Sequence, residues 1–214
     1  MNVIEALENR RSIRAFQEKP IANDQLIAIM EAANHTPSWA NSQPWEVFIA
    51  TGETLSRIKA GFAECYANHV TANPETPRPT AWSDAAIKRR EQLQPDMRRD
   101  CGDAVAQFGV LNQTMFGAPT VIYLCMDEVL SQWSLYDIGA YSQSLMLAAL
   151  EYGLGTIPAM TLTLFPEILH RELQIPGNLK VTIGIAIGYT DQDNAINKFK
   201  SARTPVSENV RLFD

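Results

Sequence analysis

The chain has 214 residues, 46% of them hydrophobic and 20% charged, which is enough to bury a sizeable core in one domain and unlike a disordered tail or a fibre. A formal net charge of −6 argues against non-specific binding to nucleic acid or to an acidic membrane surface. No apolar run approaches the roughly 20 residues that cross a bilayer. The opening Met1-Asn2-Val3-Ile4-Glu5-Ala6 has no basic segment followed by an apolar one, so a cytoplasmic protein is expected.

In chain order, Val3, Ile4 and Leu7 predict a short amphipathic helix ending near an arginine cluster at 10–14. A second helix is predicted from Asp24, as N-cap, to Asn34, with Leu26, Ile27, Ile29, Met30 and Ala33 on its apolar face. A Pro-, Ser- and Asn-rich loop over 36–44 precedes a predicted strand, Trp45–Ala50, and helical pattern returns over Thr54–Tyr66. Pro74, Pro77 and Pro79 exclude long regular structure between Thr71 and Ser83. Two helices, Asp84–Gln94 and Asp103–Phe116, and a strand from Pro119 to Met126 follow. The helix Ser134–Tyr152 is apolar on nearly every side, so it is expected to be buried on nearly every side, as a central helix at a subunit interface would be. Gly153 stops it. A short helix, Phe165–Leu173, and a buried strand, Val181–Tyr189, complete the pattern. From Asn194 onward the chain is polar and basic until Val210, Leu212 and Phe213, as in an extended arm that packs on something else. Strands and helices mix without regular β-α-β spacing, so the class is α+β.

The usual catalytic constellations are missing. There is no G-x-S-x-G and no phosphate-binding G-x-x-x-x-G-K-[ST]. His35, His69 and His170 are isolated from one another and from any ligand cluster, and read as surface or packing histidines. Cys65, Cys101 and Cys125 form no C-x-x-C and read as structural thiols. Gly153-Leu154-Gly155 opens like a dinucleotide fingerprint, but Pro158 takes the place of the third glycine. A well-formed domain without its own acid, base or nucleophile set points to a bound cofactor as carrier of the reaction.

Two basic islands stand out in this acidic chain: Arg10-Arg11-Ser12-Ile13-Arg14 and Lys198-Phe199-Lys200-Ser201-Ala202-Arg203. Brought together they would make an anion clamp; taken alone, such islands are most often solvated surface patches. The loop Pro37-Ser38-Trp39-Ala40-Asn41-Ser42-Gln43-Pro44-Trp45 holds amides and hydroxyls that pair with the edge of a planar heterocycle and with a polyol chain. By itself it suits a structural turn as well as a ligand loop.

Together these segments resemble a known family. Arg10-Arg11-Ser12-Ile13-Arg14-Ala15-Phe16 is similar to the R-R-S-x-R-x-F opening of the FMN-dependent nitroreductase superfamily, and residues 37–45 to its P-S-x-x-N-x-Q-P-W loop. Gly153-Leu154-Gly155-Thr156 resembles its G-L-G-T step, and Lys200-Ser201-Ala202-Arg203-Thr204-Pro205 its closing basic segment. The four landmarks fall in family order along the whole chain.

The resemblance implies one nitroreductase-like domain over 1–214. Its central sheet would be mixed but mainly antiparallel and flanked by helices, in an intertwined homodimer with C-terminal arm exchange. It implies that Arg10, Arg11, Lys200 and Arg203 bind the phosphate of FMN, Ser12 its ribityl chain and Arg14 the pyrimidine edge. Pro37, Ser38, Trp39 and Asn41 would reach the flavin from the partner subunit, with Gln43, Pro44 and Trp45 holding that loop. Pro158, Ala159 and Met160 would lie beside the flavin N5. The implied activity is a ping-pong transfer of hydride from NADH or NADPH to a nitroaromatic, quinone or similar small acceptor, with no catalytic protein residue. Reductive dehalogenation, fragmentation of the flavin, and flavin binding without turnover are the alternatives. Trp39 stands where many members carry a small polar residue, and serves either the aromatic substrate or the dimer interface. The segment 62–116 is read as a variable helical excursion, with Trp82 and Phe116, beside Arg89 and Arg90, at a substrate entrance.

Overall fold

A computed structural model describes residues 1–213. Its centre is a four-stranded sheet built from β1 (Glu46–Thr51), β2 (Thr120–Asp127), β3 (Leu154–Ala159) and β4 (Leu179–Tyr189), in the order β1-β2-β4-β3. All three pairings are antiparallel, with a register shift between Leu124 and Cys125; a parallel bridge joins Ser12 to Thr156 outside the named strands.

β2 and β4 are covered on both faces, and their alternating side chains divide the core in two. On one face Val121, Tyr123 and Cys125 pack with Leu55, Ile58 and Phe62 of α3 (Gly52–Ala67) and with Ile168 and Leu169 of α7 (Pro166–Leu173). On the other, Ile122, Leu124, Ile185 and Ile187 pack with Leu26, Ile29 and Ala33 of α2 (Asn23–Ala33) and with Ile138, Tyr141 and Leu145 of α6 (Gln132–Glu151). Cys125 is fully buried, and burial pushes its thiol up to about 12, so it is a core residue as its apolar context predicts.

A third cluster ties the end of α4 (Asp84–Cys101) to the C-terminal segment: Met97 and Cys101 pack on Ala15, Ile196 and Phe199. That packing explains why the helix expected to end at Gln94 continues through Pro95 to Cys101. The apolar contacts of Met97 and Cys101 outweigh the backbone bond that the proline removes. The expected helix over 103–116 is broken into a 3₁₀ turn, α5 (Phe108–Gln113) and a further 3₁₀ turn at Met115–Gly117.

Other boundaries differ for local reasons. Ala22, not Asp24, occupies the N-cap of α2; Asp24 sits in the first turn, where its negative charge is stabilised by the positive end of the helix dipole. β3 escapes a propensity reading because Gly153 precedes it and Gly155 and Pro158 interrupt it. An edge strand tolerates them, since β3 pairs within the sheet only with β4. The 71–83 stretch contains neither helix nor strand, as its prolines require.

Within one chain α6 is not buried on nearly every side. Trp133 and Tyr136 are exposed, and Leu147, Ala148 and Leu150 are half-buried, because the sheet and α2 cover only part of its circumference. α1 (Val3–Asn9) likewise leaves Val3, Ile4 and Leu7 exposed. At the other end α8 (Val206–Asn209) leads to Leu212 and Phe213, each 93% exposed.

Candidate cofactor site

The two basic islands lie 184 or more positions apart at their closest functional ends in the chain, Arg14 and Lys198, yet the fold brings them together through one side chain. Asn197, 4% exposed, accepts the backbone N–H of Arg14 at 2.7 Å and of Ala15 at 3.2 Å through Oδ1. Its Nδ2 donates to the carbonyls of Ala15 at 2.8 Å and Asp191 at 2.9 Å. A second tether comes from the sheet: the Ile13 N–H donates to the Thr156 carbonyl at 3.0 Å. Gly155 permits that approach, since a Cβ there would stand 2.6 Å from Cγ1 of Ile13.

The result is a cavity of about 300 Å³ lined by Arg10, Arg11, Lys200, Ser201 and Arg203, with Glu8 as its only carboxylate and Ile4 and Leu7 at its apolar edge. None of the four cations makes an ion pair among the described residues. Burial, and then the charge of Arg203, hold the Arg10 guanidinium below its ordinary value. Like charges held together without counter-ions form a site that an anion stabilises.

Arg14 lies deeper. Its Nη1 donates to the Ser12 carbonyl at 3.0 Å, and its guanidinium faces the rings of Phe199 at 5.2 Å and Phe108 at 5.9 Å. Its Nε is buried with no hydrogen-bond partner, and burial lowers its pKa, an effect that Cys101 partly offsets. A buried donor without an acceptor is costly unless a ligand completes it.

The Pro37–Trp45 loop is held in an unusual shape. Ala40, Asn41 and Gln43 have φ of 50°, 57° and 43°, a region that side chains other than Asn seldom adopt. Ser38 Oγ accepts the Gln43 N–H at 2.9 Å, and Trp45 stacks on Tyr141 with centroids 4.6 Å apart. Asp137, buried in α6, accepts the Trp39 N–H through Oδ2 at 3.1 Å. With Trp133, Tyr136 and Asp137, the residues Pro37, Ser38 and Trp39 line a cavity of about 540 Å³ that shares no lining residue with the basic one. One chain therefore brings Arg10, Arg11, Lys200 and Arg203 together and keeps Pro37, Ser38 and Trp39 apart from them.

The Nitroreductase family model matches residues 7–189. The chain belongs to the nitroreductase family. It is 29% identical over 204 residues to 4-nitrobenzoate reductase of Pseudomonas putida, spanning 91% of this chain and 88% of that relative. It is 27% identical over 214 residues to chloronitrobenzene nitroreductase of Comamonas testosteroni, spanning 94% and 92%. The fold superimposes on the FMN-dependent nitroreductase NfnB of Mycobacterium smegmatis, solved in complex with NADPH, with a TM-score of 0.90 and 25% identity over 100% of both chains.

In this nitroreductase-family chain, Pro158 and Ala159 close β3 opposite Ile185 and Gly184 of β4, and Met160 follows as a partly exposed residue. The substrate-entrance expectation needs correction. Phe116 is 1% exposed within the α3 face of the core, so it cannot line an entrance. Phe62 is equally buried there, and the two ends of the supposed 62–116 excursion are thus core residues. Trp82 is exposed, with the Arg90 guanidinium 4.4 Å from its ring centroid. His35 and His69 are exposed; His170 packs against the Ile175 carbonyl and Glu75, each at 3.2 Å. No cluster of three or more potential metal ligands occurs among the described residues.

Residue-by-residue reading of the sequence missed Asn197 and Asp137. Asp137 was visible as the one acid inside an apolar helix whose other acid, Glu151, stands at its end, and a carboxylate in such a position calls for a donor. Asn197 sits in a polar stretch where nothing local distinguishes it from Asn194.

Proposed function

We propose that the chain is an FMN-dependent NAD(P)H oxidoreductase that reduces nitroaromatics, quinones or similar electron-poor acceptors by a ping-pong mechanism. The observation that carries this reading is the set of uncompensated cations, Arg10, Arg11, Lys200 and Arg203, beside the orphaned Nε of buried Arg14. A phosphate dianion on a polyol chain, ending in a polar heterocycle, fits that donor set; the nitroreductases that the chain resembles include ones named for FMN and NADPH.

When bound, FMN supplies hydride uptake from the nicotinamide and its delivery to the acceptor. The protein's own residues bind and orient. Arg10, Arg11, Lys200 and Arg203 hold the phosphate, with Ser12 at the ribityl chain. Arg14 stabilises negative charge at the pyrimidine edge, and its burial strengthens that interaction. Pro158, Ala159 and Met160 present backbone along the flavin.

In the same proposal the active unit is a homodimer in the cytoplasm. Pro37, Ser38, Trp39 and Asn41 serve the partner's flavin, which explains why they stand away from their own basic cavity. The apolar side chains left open on α1, α6 and the C-terminal arm support a second copy as their cover, with the arms exchanged.

The test is spectroscopic. The purified protein is expected to be yellow, to bleach with NAD(P)H under anaerobic conditions and to recover its colour with nitrobenzoate or a quinone. Bound flavin that the nicotinamide fails to bleach would establish a flavin-binding protein without turnover. A mixed dimer of Arg10→Ala and Asn41→Ala subunits is expected to keep one intact site; loss of both sites would rule out the cross-subunit arrangement.

A further inference from the structure

A third cavity, of about 200 Å³, lies on the other side of Arg203, between α4 and the C-terminal basic segment. Arg89 and Asp96 face it from the helix, and Ser201, Arg203 and Thr204 from the segment. Ser201 and Arg203 line both this cavity and the basic one described above, so a single guanidinium stands between the two.

The charge of the new cavity is positive. Asp96, its only carboxylate, already receives Arg99 and the Gln92 amide through Oδ1. Arg89 is exposed and makes no hydrogen bond or ion pair among the described residues, although its neighbour Arg90 lies over Trp82. Arg203 uses Nη1 on its own segment, at 3.0 Å to the Ser201 carbonyl and 2.6 Å to Ser201 Oγ. Its Nε and Nη2 donate to nothing among the described residues. Two guanidinium forks with free donors, beside the hydroxyls of Ser201 and Thr204, match the oxygens of a phosphate group better than any neutral ligand.

We propose that this cavity is a second phosphomonoester subsite, with Arg89 as its arm from α4. It rests on the reading of the basic clamp as the FMN site. The single phosphate of FMN is held in the clamp, so the phosphomonoester of that reaction left to fill this cavity is the 2′-phosphate that distinguishes NADPH from NADH.

The test uses the flavin-loaded protein and three variants, Arg89→Ala, Arg203→Ala and Lys88→Ala. Lys88 is exposed on the same helix and lines neither cavity. FMN release on serial dilution is followed by flavin fluorescence, and KM is measured for NADPH and for NADH. Arg89→Ala that releases FMN about tenfold more readily, with the ratio of the two KM values unchanged, makes Arg89 an arm of the FMN clamp and overturns the second subsite. If it serves the electron donor, KM for NADPH rises about tenfold, while KM for NADH and FMN retention stay as they were. Arg89→Ala that matches Lys88→Ala in every reading, while Arg203→Ala loses FMN, overturns the subsite alone. Should Arg203→Ala also retain FMN normally, the clamp reading fails and the subsite falls with it.

Discussion

Asn197→Ala is expected to unclasp the two ends of the chain. The side chain makes four hydrogen bonds, to the N–H groups of Arg14 and Ala15 and to the carbonyls of Ala15 and Asp191, from a position 4% exposed. At a net value of about 1 kcal/mol each, their loss comes to about 4 kcal/mol. Water reaching the half-buried Arg14 N–H lowers that to about 3 kcal/mol. For a chain of this length the corresponding fall in Tm is about 10 °C. The loss has a functional side as well. No other hydrogen bond among the described residues ties residues 10–15 to the segment carrying Lys200 and Arg203, and the packing of Ala15 on Ile196 and Phe199 and of Arg14 on Phe199 is left to hold it, so FMN retention is expected to fall together with stability. Thermal unfolding at a fixed FMN concentration, with flavin fluorescence as a second signal, measures both. Asn197→Asp keeps the acceptor for the two N–H groups and loses the donor, so it is expected to fall between the wild type and alanine. A Tm within about 2 °C of wild type, with FMN fully retained, would refute the reasoning.

Gly155→Ala places a methyl 2.6 Å from Ile13 Cγ1 and from Thr190 Oγ1; urea unfolding is expected to report a loss of about 1–3 kcal/mol, with weaker FMN retention because residues 12–14 are displaced. Tyr123→Phe removes a buried hydroxyl that has no partner and whose burial raises its pKa. It is expected to leave stability unchanged or raise it by about 1 kcal/mol, and a clear loss would reveal a bond that the hydroxyl makes. Phe116→Ala empties a core site and is expected to cost about 3–5 kcal/mol by chemical denaturation, without altering acceptor KM in the protein that remains folded. A changed KM at wild-type stability would return Phe116 to the substrate path. In all three cases the affected side chain acts through packing or hydrogen bonding, so a stability measurement is the primary readout.

Helices α2, α3 and α7 and strands β1, β2 and β4 are legible in the sequence because each presents apolar residues at its own period to a core that lies on a known side. Where the reading went astray, a long-range contact decided. β3 carries a glycine and a proline in six residues, and only its place at the sheet edge, beside β4, makes it a strand. α4 runs past Pro95 because Met97 and Cys101 find Ile196 and Phe199, residues nearly a hundred positions away. As the end of a variable 62–116 excursion, Phe116 is expected at a substrate entrance, whereas the structure buries it to 1% exposure on a left-handed backbone, φ 61°.

The amino-acid sequence by itself determined the class of the fold, the family and the inventory of anion-binding side chains, because those depend on residue types and their spacing. Which cations meet was decided by the tertiary structure. Asn197 joins the chain's two ends and the Ser12–Thr156 bridge ties the first basic island to β3, and neither interaction leaves a local pattern. The separation of the Trp39 loop from the basic cavity is of the same kind. Distance between segments is a property of how strands and helices pack, and a linear pattern carries no record of it.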